Sequence, residues 1–418
     1  METRMLTTLF PRNFHTYSAL PLLGSVADSF DDWLLDRGYT VNARKFAIHM
    51  LRHIDKDLCR RRIEQVTDLT HSTLHRSWRV LIQRFHSKAG TVRVLEHYLK
   101  MRGLLSDDDK AEPCSEIDLQ VTSYADYLQE VRGCAQSTIC EHVRTAKYFL
   151  THLGKRSRRL QTLTSSDLEE YIKKAGKRLS RRSLQQAVSD LRSFLRFLAA
   201  KGEIPPGLDT RIDTPRIYRR EQLPRSLPWE MVRAFLRSID RTTDKGLRDY
   251  TIFLLIATYG LRVSEIAALT LENIHWRTNR IRILQRKTSA PLELPLTNGV
   301  GTALFKYLKR VPPRPPHREI FLRMTAPIGP LNPVSVSSAF EVWSRRSGLG
   351  IPCQGAHCLR HSYASNLLNN RTSLKTIGDI LGHRCAESTV TYLRLATNDL
   401  RDVALPIPMK PEQKEVRS

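Results

Sequence analysis

Two features are scarce in this chain of 418 residues: long apolar runs and paired cysteines. Charged side chains interrupt every apolar stretch before it reaches the roughly 20 residues that a membrane-spanning helix requires. The first residues, Met1 to Phe14, lack a long apolar core followed by a small-residue cleavage site, which argues against a secretory signal. These absences predict a cytoplasmic protein that makes no membrane contact.

The seven cysteines form no CxxC pair and are too sparse for a disulfide scaffold, so they indicate a reducing compartment. Cys353, His357, Cys358 and His361 lie close together and suggest a zinc site, but their spacing does not fit the usual ligand patterns. We therefore expect neither a metal nor any other cofactor.

Acidic side chains are also too few to balance the basic ones. Lysine and arginine total 67 against 42 aspartates and glutamates, which leaves a net charge of +25 and a pI near 10.1. A positive field of this size favours polyanionic partners. A basic protein without such a partner is the alternative, because charge alone is weakly specific.

Two polar stretches divide the chain: the acidic segment Ser106–Pro113 and a proline-rich, charged segment from Ile204 to Pro228. They predict an N-terminal helical domain at residues 1–110 and a second helical domain at residues 115–205. A linker at 206–226 would lead to a C-terminal domain at 227–405 and a tail at 406–418.

Apolar residues in the middle segment recur at helical spacing, as in Tyr124, Tyr127 and Leu128, and predict a small helical bundle. Thr164 to Asp167 is typical of a helix N-terminus within that bundle.

The first segment echoes the second, because Ser29–Leu34 resembles Ser123–Leu128 at an offset of about 94 residues. His97–Gly103 echoes Arg196–Gly202 at a similar offset. We interpret residues 1–110 as a degenerate copy of the second domain, although chance similarity between amphipathic helices is an alternative.

The third segment combines helical patterns with one predicted ribbon. Arg280–Leu284 and Leu292–Leu296 alternate about a turn at Lys287–Ala290, as in two antiparallel strands. The predicted helices surround this ribbon, at Trp229–Ile239, Tyr250–Tyr259, Leu261–Leu269, Val334–Arg345, Arg360–Leu368 and Leu374–Leu381. The chain is therefore predicted to be mainly α, with a small antiparallel sheet in the C-terminal domain.

The same segment carries residue types suited to a phosphodiester. Gly260-Leu261-Arg262 precedes His357-Cys358-Leu359-Arg360-His361, and Leu381-Gly382-His383 precedes a lone Tyr392. Guanidinium groups bind phosphate oxygens bidentately, and an aromatic alcohol can attack phosphorus.

These motifs resemble the catalytic boxes of the tyrosine recombinases, the phage lambda integrase family, over roughly residues 220 to 400. The middle segment resembles the family's helical core-binding domain. The resemblance implies helical DNA-binding domains that form a C-shaped clamp on DNA with the catalytic domain. It also implies a site-specific recombinase that integrates, excises or transposes a bacterial mobile element and that cleaves and rejoins strands through a 3′-phosphotyrosyl intermediate without ATP.

The resemblance also implies roles for six catalytic residues. Tyr392 would be the nucleophile, and Arg262 and Arg360 would bind the non-bridging oxygens. His357 would assist proton transfer and His383 would hydrogen-bond the phosphate, with the histidine that acts as base left open. The ribbon lysine Lys287 would protonate the departing 5′ oxygen. Arg286 is the rival of Lys287, Glu265 is expected to orient Arg262, and His361 has no assigned role.

Basic residues of the middle segment are candidates for contacts with the DNA backbone: Arg144, Lys147, Arg181 and Arg182. The alternative is a solvated charged face. The family resemblance further implies double-stranded recombination sites, a synaptic homo-tetramer, with or without partner recombinases, and association with the nucleoid. A tail beyond Asn398 could dock on a neighbouring subunit or stay solvated.

Three other functions stay open at this point. A type IB topoisomerase uses similar residues, a recombinase-derived protein could bind DNA without cutting it, and a metal-dependent nuclease would show clustered carboxylates.

Overall fold

The computed structural model describes residues 5–106, 116–154, 160–213, 225–285, 291–313, 315–352, 355–382, 386–390 and 392–393. Several residues of interest lie outside these ranges: Lys287, Arg286, His383, Cys353, the basic run 155–159 and the tail from residue 394. The described part is mainly helical with one small antiparallel sheet, which confirms the predicted fold class. Within it, no helix has the length and apolar character needed to cross a bilayer.

The chain divides into two compact units, Met1–Asp55 with Gln222–Ser418, and Lys56–Glu221. The boundary falls inside one long helix, Val41–Arg60. The domain boundaries drawn from the sequence stay a prediction.

The first unit begins with helices α1 to α4, at Met5–Leu9, His15–Ser18, Gly24–Asp36 and Val41–Arg60. The buried carboxylate of Asp55 on α4 accepts hydrogen bonds from the backbone N–H groups of Leu22 and Leu23, just before α3, at 3.0 and 2.7 Å. The carbonyl of Arg37, just after α3, accepts a hydrogen bond from Ile328 N–H at 3.1 Å. The N-terminal helices thus join the C-terminal region in one unit.

The C-terminal region of that unit contains the sheet and the remaining helices of the unit. The three strands β1 to β3, Ile274–His275, Arg280–Leu284 and Pro291–Pro295, pair antiparallel in chain order, with Ile281 opposite both Ile274 and Leu294. The helices α11 to α18 are Trp229–Ser238, Asp244–Tyr259, Val263–Ala267, Asn298–Arg310, Pro333–Arg346, His357–Asn369, Leu374–Leu381 and Ala386–Val390.

The predicted ribbon and the predicted helices of this region are confirmed, with two differences that matter for the site. The helix predicted over Leu261–Leu269 is the shorter α13, because Arg262 has extended backbone and is its N-cap. The helix predicted from Arg360 begins at His357, so both residues share its first turn. Strand β1 was not predicted, since two residues carry no recognisable alternation.

Helix α12 lies at the centre of this region, in contact with α11, α14, α15 and α16. Its buried Asp249 accepts hydrogen bonds from Arg248 Nε and Nη2 at 3.0 and 2.7 Å and from Trp343 Nε1 at 3.0 Å. Arg248 Nη1 also donates to the carbonyl of Leu322 at 3.0 Å. This buried ion pair ties α12 to α15 and to the segment after α14.

The second unit contains the end of α4 and helices α5 to α10, at His71–Phe85, Thr91–Met101, Glu116–Asp126, Gln136–Gly154, Ser165–Gly176 and Arg181–Ala200. A single π-helical turn, Tyr127–Val131, extends α7. Helix α8 packs on α7 and α10, and α9 packs on α10, around a core that includes Tyr124, Phe149 and Phe194. The predicted helical bundle and the predicted helix start at Thr164 are confirmed, the latter by a capping box with Asp167.

Local structure repeats at the offset seen in the sequence. Thr70 and Thr164, 94 positions apart, both form capping boxes at helix starts. Gly38 and Gly133 have φ of 78° and 56°, and Gly103 and Gly202 have φ of 67° and 72°. These parallels support the interpretation of the N-terminal region as a degenerate copy, which stays a prediction.

Alkaline pH is expected to destabilise the second unit through Tyr124, whose side chain is fully buried. Burial raises the pKa of Tyr124 to about 12, whereas the unfolded phenol titrates near 10. The stabilising contribution is therefore fully present below about pH 10 and is lost as pH rises through about 12, on the order of 2 kcal/mol in all. Urea unfolding of Tyr124→Phe at a series of alkaline pH values should show a flatter decline than the unchanged protein.

The hydroxyl of Tyr124 also contacts His142 Nδ1 at 3.0 Å, so its loss adds a destabilisation that does not vary over this alkaline range. Tyr127→Phe, in the same aromatic cluster, is the matched control. Equal slopes for Tyr124→Phe and the unchanged protein would contradict the prediction.

Candidate active site

The site starts from a glycine that ends α12. Gly260 has φ 65° and ψ 25°, and its N–H donates to the carbonyl of Ile256 at 2.8 Å. A Cβ atom at Gly260 would lie only 2.6 Å from Tyr363 Cδ1 and 2.7 Å from Leu381 Cδ2. Glycine is required here both by the left-handed backbone and by the close approach of α16 and α17. The turn then places Arg262 at the start of α13.

Arg262 is held by the residue three positions later. The buried carboxylate of Glu265 accepts from Arg262 Nη1 at 2.7 Å and from its backbone N–H at 2.8 Å. Arg262 Nη2 donates to the carbonyl of Gly382 at 3.0 Å. The predicted orienting role of Glu265 agrees with this geometry. These described partners use two of the five guanidinium N–H donors, so donors remain for a ligand.

Arg360 is more deeply buried, with 3% of its surface exposed. Its Nη1 donates to the carbonyl of Gly260, and its Nη2 donates to the carbonyl of Leu381 at 2.6 Å. Both acceptors are neutral, so no carboxylate binds this guanidinium directly among its described contacts. Burial lowers the pKa of Arg360 to about 10, and the positive charge of Arg262 acts in the same direction. The group stays charged at neutral pH.

The two guanidinium groups therefore bind consecutive carbonyls, those of Leu381 and Gly382 at the end of α17. Two like charges that are poorly solvated repel each other, and the carboxylate of Glu265 offsets this only in part. An anion between them would be strongly stabilised.

Tyr392 completes the cluster. It is 3% exposed and packs with Ala364, Ile377 and Leu381. Burial raises the pKa of Tyr392 above its ordinary value, while the charges of Arg360 and Arg262 lower it. The hydroxyl is therefore neutral at physiological pH and lies within the electrostatic reach of both arginines.

Two histidines lie on one face of α16, one turn apart. His361 Nδ1 is 3.0 Å from the hydroxyl of Tyr392, and its ring meets the His357 ring edge-on, with centroids 4.6 Å apart and planes at 84°. His357 is exposed and His361 is partly buried. The sequence pattern predicted a role for His357 and none for His361, so the contact of His361 with the tyrosine was not predicted.

Lys287 and His383 lie outside the described residues, but their described neighbours lie at the site. The buried Gln285 side chain packs against Gly382, where an added Cβ would lie 2.1 Å from Gln285 Oε1. Gly382 has φ 61° and accepts the hydrogen bond from Arg262. Gln285, the last described residue before the predicted turn, thus lies beside Gly382.

The four residues predicted to contact the DNA backbone are all exposed in the second unit. Arg144 pairs with Glu141, and Lys147 Nζ lies 2.7 Å from Asp118 Oδ1. Arg144 lines a groove with Lys174 and with Arg178, which belongs to the same basic run as Arg181 and Arg182. Lys147, Arg181 and Arg182 do not line that groove. Lys174 was not predicted, although it lies four positions before Arg178, a spacing that places two residues on one face of a helix.

Among the described residues, no group of at least three His, Cys, Asp or Glu side chains is arranged so that it could bind a metal ion.

Two family matches cover the regions just described. Residues 226–399 match the phage integrase family, and residues 121–202 match the phage integrase N-terminal SAM-like domain. A putative integrase/recombinase of Sinorhizobium fredii, y4rA, is 31% identical over 386 residues, which cover 91% of this chain and 93% of the relative. A tyrosine recombinase XerD of Listeria monocytogenes is 28% identical over 291 residues, covering 68% of this chain and 96% of the relative.

Solved structures show the same fold at low sequence identity. XerH site-specific recombinase bound to a palindromic difH substrate has a TM-score of 0.55 at 19% identity, covering 69% of this chain and 86% of that one. The Tn1549 transposon integrase, in complex with a circular intermediate DNA, has a TM-score of 0.53 at 16% identity, covering 68% of this chain and 99% of that one.

The fold and the motifs define a DNA strand-transfer protein of the tyrosine-nucleophile class. The chain belongs to the phage integrase family of tyrosine recombinases, enzymes that cleave and religate DNA.

Proposed function

We propose that this chain is a site-specific recombinase in which Tyr392 attacks a DNA phosphate held by Arg262 and Arg360. The proposal rests on one observation: Arg360 and Arg262 donate hydrogen bonds to the consecutive carbonyls of Leu381 and Gly382 at the end of α17. Tyr392 packs with Leu381 at the same helix end. A phosphodiester in this place would receive the remaining guanidinium donors on its non-bridging oxygens.

The chemistry follows from the groups present. Charge grows on the phosphate oxygens as the pentacoordinate transition state forms, and fixed cations stabilise that charge more than they stabilise the ground state. The bond between Tyr392 Oη and phosphorus forms as the bond to O5′ breaks. The 3′-phosphotyrosyl ester retains the energy of the broken bond, so a second 5′ hydroxyl can rejoin the strand without ATP.

The remaining members of the predicted set complete the proposal. Lys287 protonates the departing 5′ oxygen from the ribbon turn, and His383 donates to the phosphate. His357, exposed at the start of α16, lies where a phosphate could meet both its imidazole and the positive end of the helix dipole.

The partners proposed for the protein are DNA sites and copies of itself. Exposed basic residues of the second unit, including Arg144, Lys147, Arg181 and Arg182, contact the DNA backbone. Two sites are held by a homo-tetramer, with or without partner recombinases, and the reaction integrates, excises or transposes a bacterial mobile element at the nucleoid in the cytoplasm. The names of the relatives support this setting.

The test is covalent capture on nicked suicide duplexes tiled from the DNA that flanks the coding sequence, in buffer with EDTA. Cleavage beside the nick releases a short fragment that diffuses away, which leaves the protein linked to the 3′ end. We expect a protein–DNA adduct on a denaturing gel for the unchanged chain and none for Tyr392→Phe.

Tyr250→Phe, a partly buried tyrosine on α12, is the matched control and should form the adduct normally. An adduct that persists in Tyr392→Phe, or cleavage that requires Mg²⁺, would refute the proposal. No adduct on duplexes that the protein demonstrably binds would favour a DNA-binding protein that does not cut.

A further inference from the structure

We propose that His361 accepts the proton of Tyr392 during strand cleavage. The inference rests on the proposed function, because it assumes that Tyr392 is the nucleophile. Its basis is the contact of 3.0 Å between His361 Nδ1 and the hydroxyl of Tyr392, which joins two residues 31 positions apart.

A proton acceptor is needed because the hydroxyl of Tyr392 is still protonated when the reaction begins. Tyr392 is almost fully buried, and its burial favours the neutral phenol over the phenolate. Attack by the neutral oxygen would place a positive charge on it as the bond to phosphorus forms. The arginines beside it cannot take the proton, because a guanidinium has no acceptor site. A neutral imidazole can.

The position of His361 on α16 suits this task. It lies in the second turn, one turn after His357, whose ring packs edge-on against it. Its neighbour Arg360 is held by the carbonyls of Gly260 and Leu381, which fixes the orientation of this end of the helix. With its own proton on Nε2, His361 presents the Nδ1 lone pair to the hydroxyl of Tyr392.

The proton balance of the step is complete. The O–H bond of Tyr392 breaks as its proton moves to Nδ1, and the new bond from oxygen to phosphorus forms. The bond from phosphorus to O5′ breaks, and O5′ takes a proton from the general acid, which is Lys287 in the proposed function. On rejoining, the proton on His361 returns to the oxygen of Tyr392. No oxidant, reductant or metal takes part.

The experiment separates proton acceptance from leaving-group protonation. Nicked suicide duplexes are prepared with either oxygen or sulfur at the 5′ bridging position, and single-turnover cleavage rates are measured. A thiolate leaves without a proton. The duplex with sulfur should therefore restore the cleavage rate of a variant that lacks the general acid, but not the rate of a variant that lacks the base. We expect His361→Ala to cleave about 10²- to 10³-fold slower on both duplexes. Lys287→Ala should be slow on oxygen and close to the unchanged rate on sulfur.

Two further variants exclude a merely structural role. His361→Gln keeps a polar side chain but cannot take the proton, so it should stay slow, and added imidazole should accelerate His361→Ala. His275→Ala, an exposed histidine on β1, is the matched control. DNA affinity and thermal unfolding of each variant are measured together with the rates, so that a folding defect is recognised. If His361→Ala fails to fold, the rates of His361→Gln decide the result.

Three results would overturn the proposal: an unchanged rate in His361→Ala, restoration by sulfur, or an unchanged rate in His361→Gln. These results differ from failure of the proposed function, which would appear as no adduct from the unchanged chain or as an adduct from Tyr392→Phe.

Discussion

Replacement of Arg360 by alanine is expected to lower the rate of strand cleavage by about 10³-fold or more, with a far smaller change in DNA affinity. The guanidinium would stabilise charge that appears on the phosphate only in the transition state, so its loss acts on the rate more than on binding. Single-turnover cleavage of the suicide duplexes and a filter-binding titration would measure the two quantities separately.

Arg360→Lys is the informative comparison. Lysine keeps the charge but cannot bind two carbonyls and a phosphate with one planar fork, so we expect most of the defect to remain. Arg360→Ala also leaves the carbonyls of Gly260 and Leu381 without their donors, at a cost of about 1–3 kcal/mol for each buried acceptor left unpaired. Thermal unfolding of the variants reports that structural part. A cleavage rate within tenfold of the unchanged protein in Arg360→Ala would contradict the assignment.

Replacement of Asp249 by alanine should destabilise the first unit by about 3–5 kcal/mol. Asp249 is 1% exposed and Arg248 is 5% exposed, so the variant leaves a buried guanidinium without its counter-charge. The indole N–H of Trp343 loses its acceptor as well. Urea unfolding, followed by the fluorescence of the tryptophans, measures the change.

Two matched variants test the cause. Asp244→Ala removes an exposed carboxylate from the first turn of the same helix, together with its pair to Arg310, and should cost about 1 kcal/mol or less. The double variant Arg248→Met and Asp249→Ala removes both buried charges and should recover much of the stability lost in Asp249→Ala. A double variant as unstable as the single one would show that the loss does not come from an unpaired charge.

The residue types of the site were accessible from the sequence because their order and spacing are unusual. Arg262, Arg360 and Tyr392 were selected in this way, and the structure brings all three to the end of α17. The helices were predictable for a different reason, since apolar periodicity records which face is buried. The ribbon followed from alternation in β2 and from its turn.

Contacts between distant parts of the chain could not be predicted. His361 and Tyr392 are 31 positions apart, and no periodicity says which ring of α16 meets the tyrosine. The carbonyl partners of Arg360 were equally hidden, because every residue carries a carbonyl and the side chain alone does not select one. The hydrogen bond from Ile328 to Arg37, which joins the N-terminal helices to the C-terminal region, has no sequence signal either.

The anchoring of Arg360 has a consequence for the energetics of catalysis. A mobile guanidinium would have to leave bulk water and lose rotamer freedom each time a phosphate arrived. In this protein the guanidinium of Arg360 is already desolvated and oriented by two carbonyls before any substrate is bound. On the proposed function, the dipoles around the reacting phosphate would need little rearrangement as charge develops, and the low reorganisation energy of the site would have been set when the chain folded.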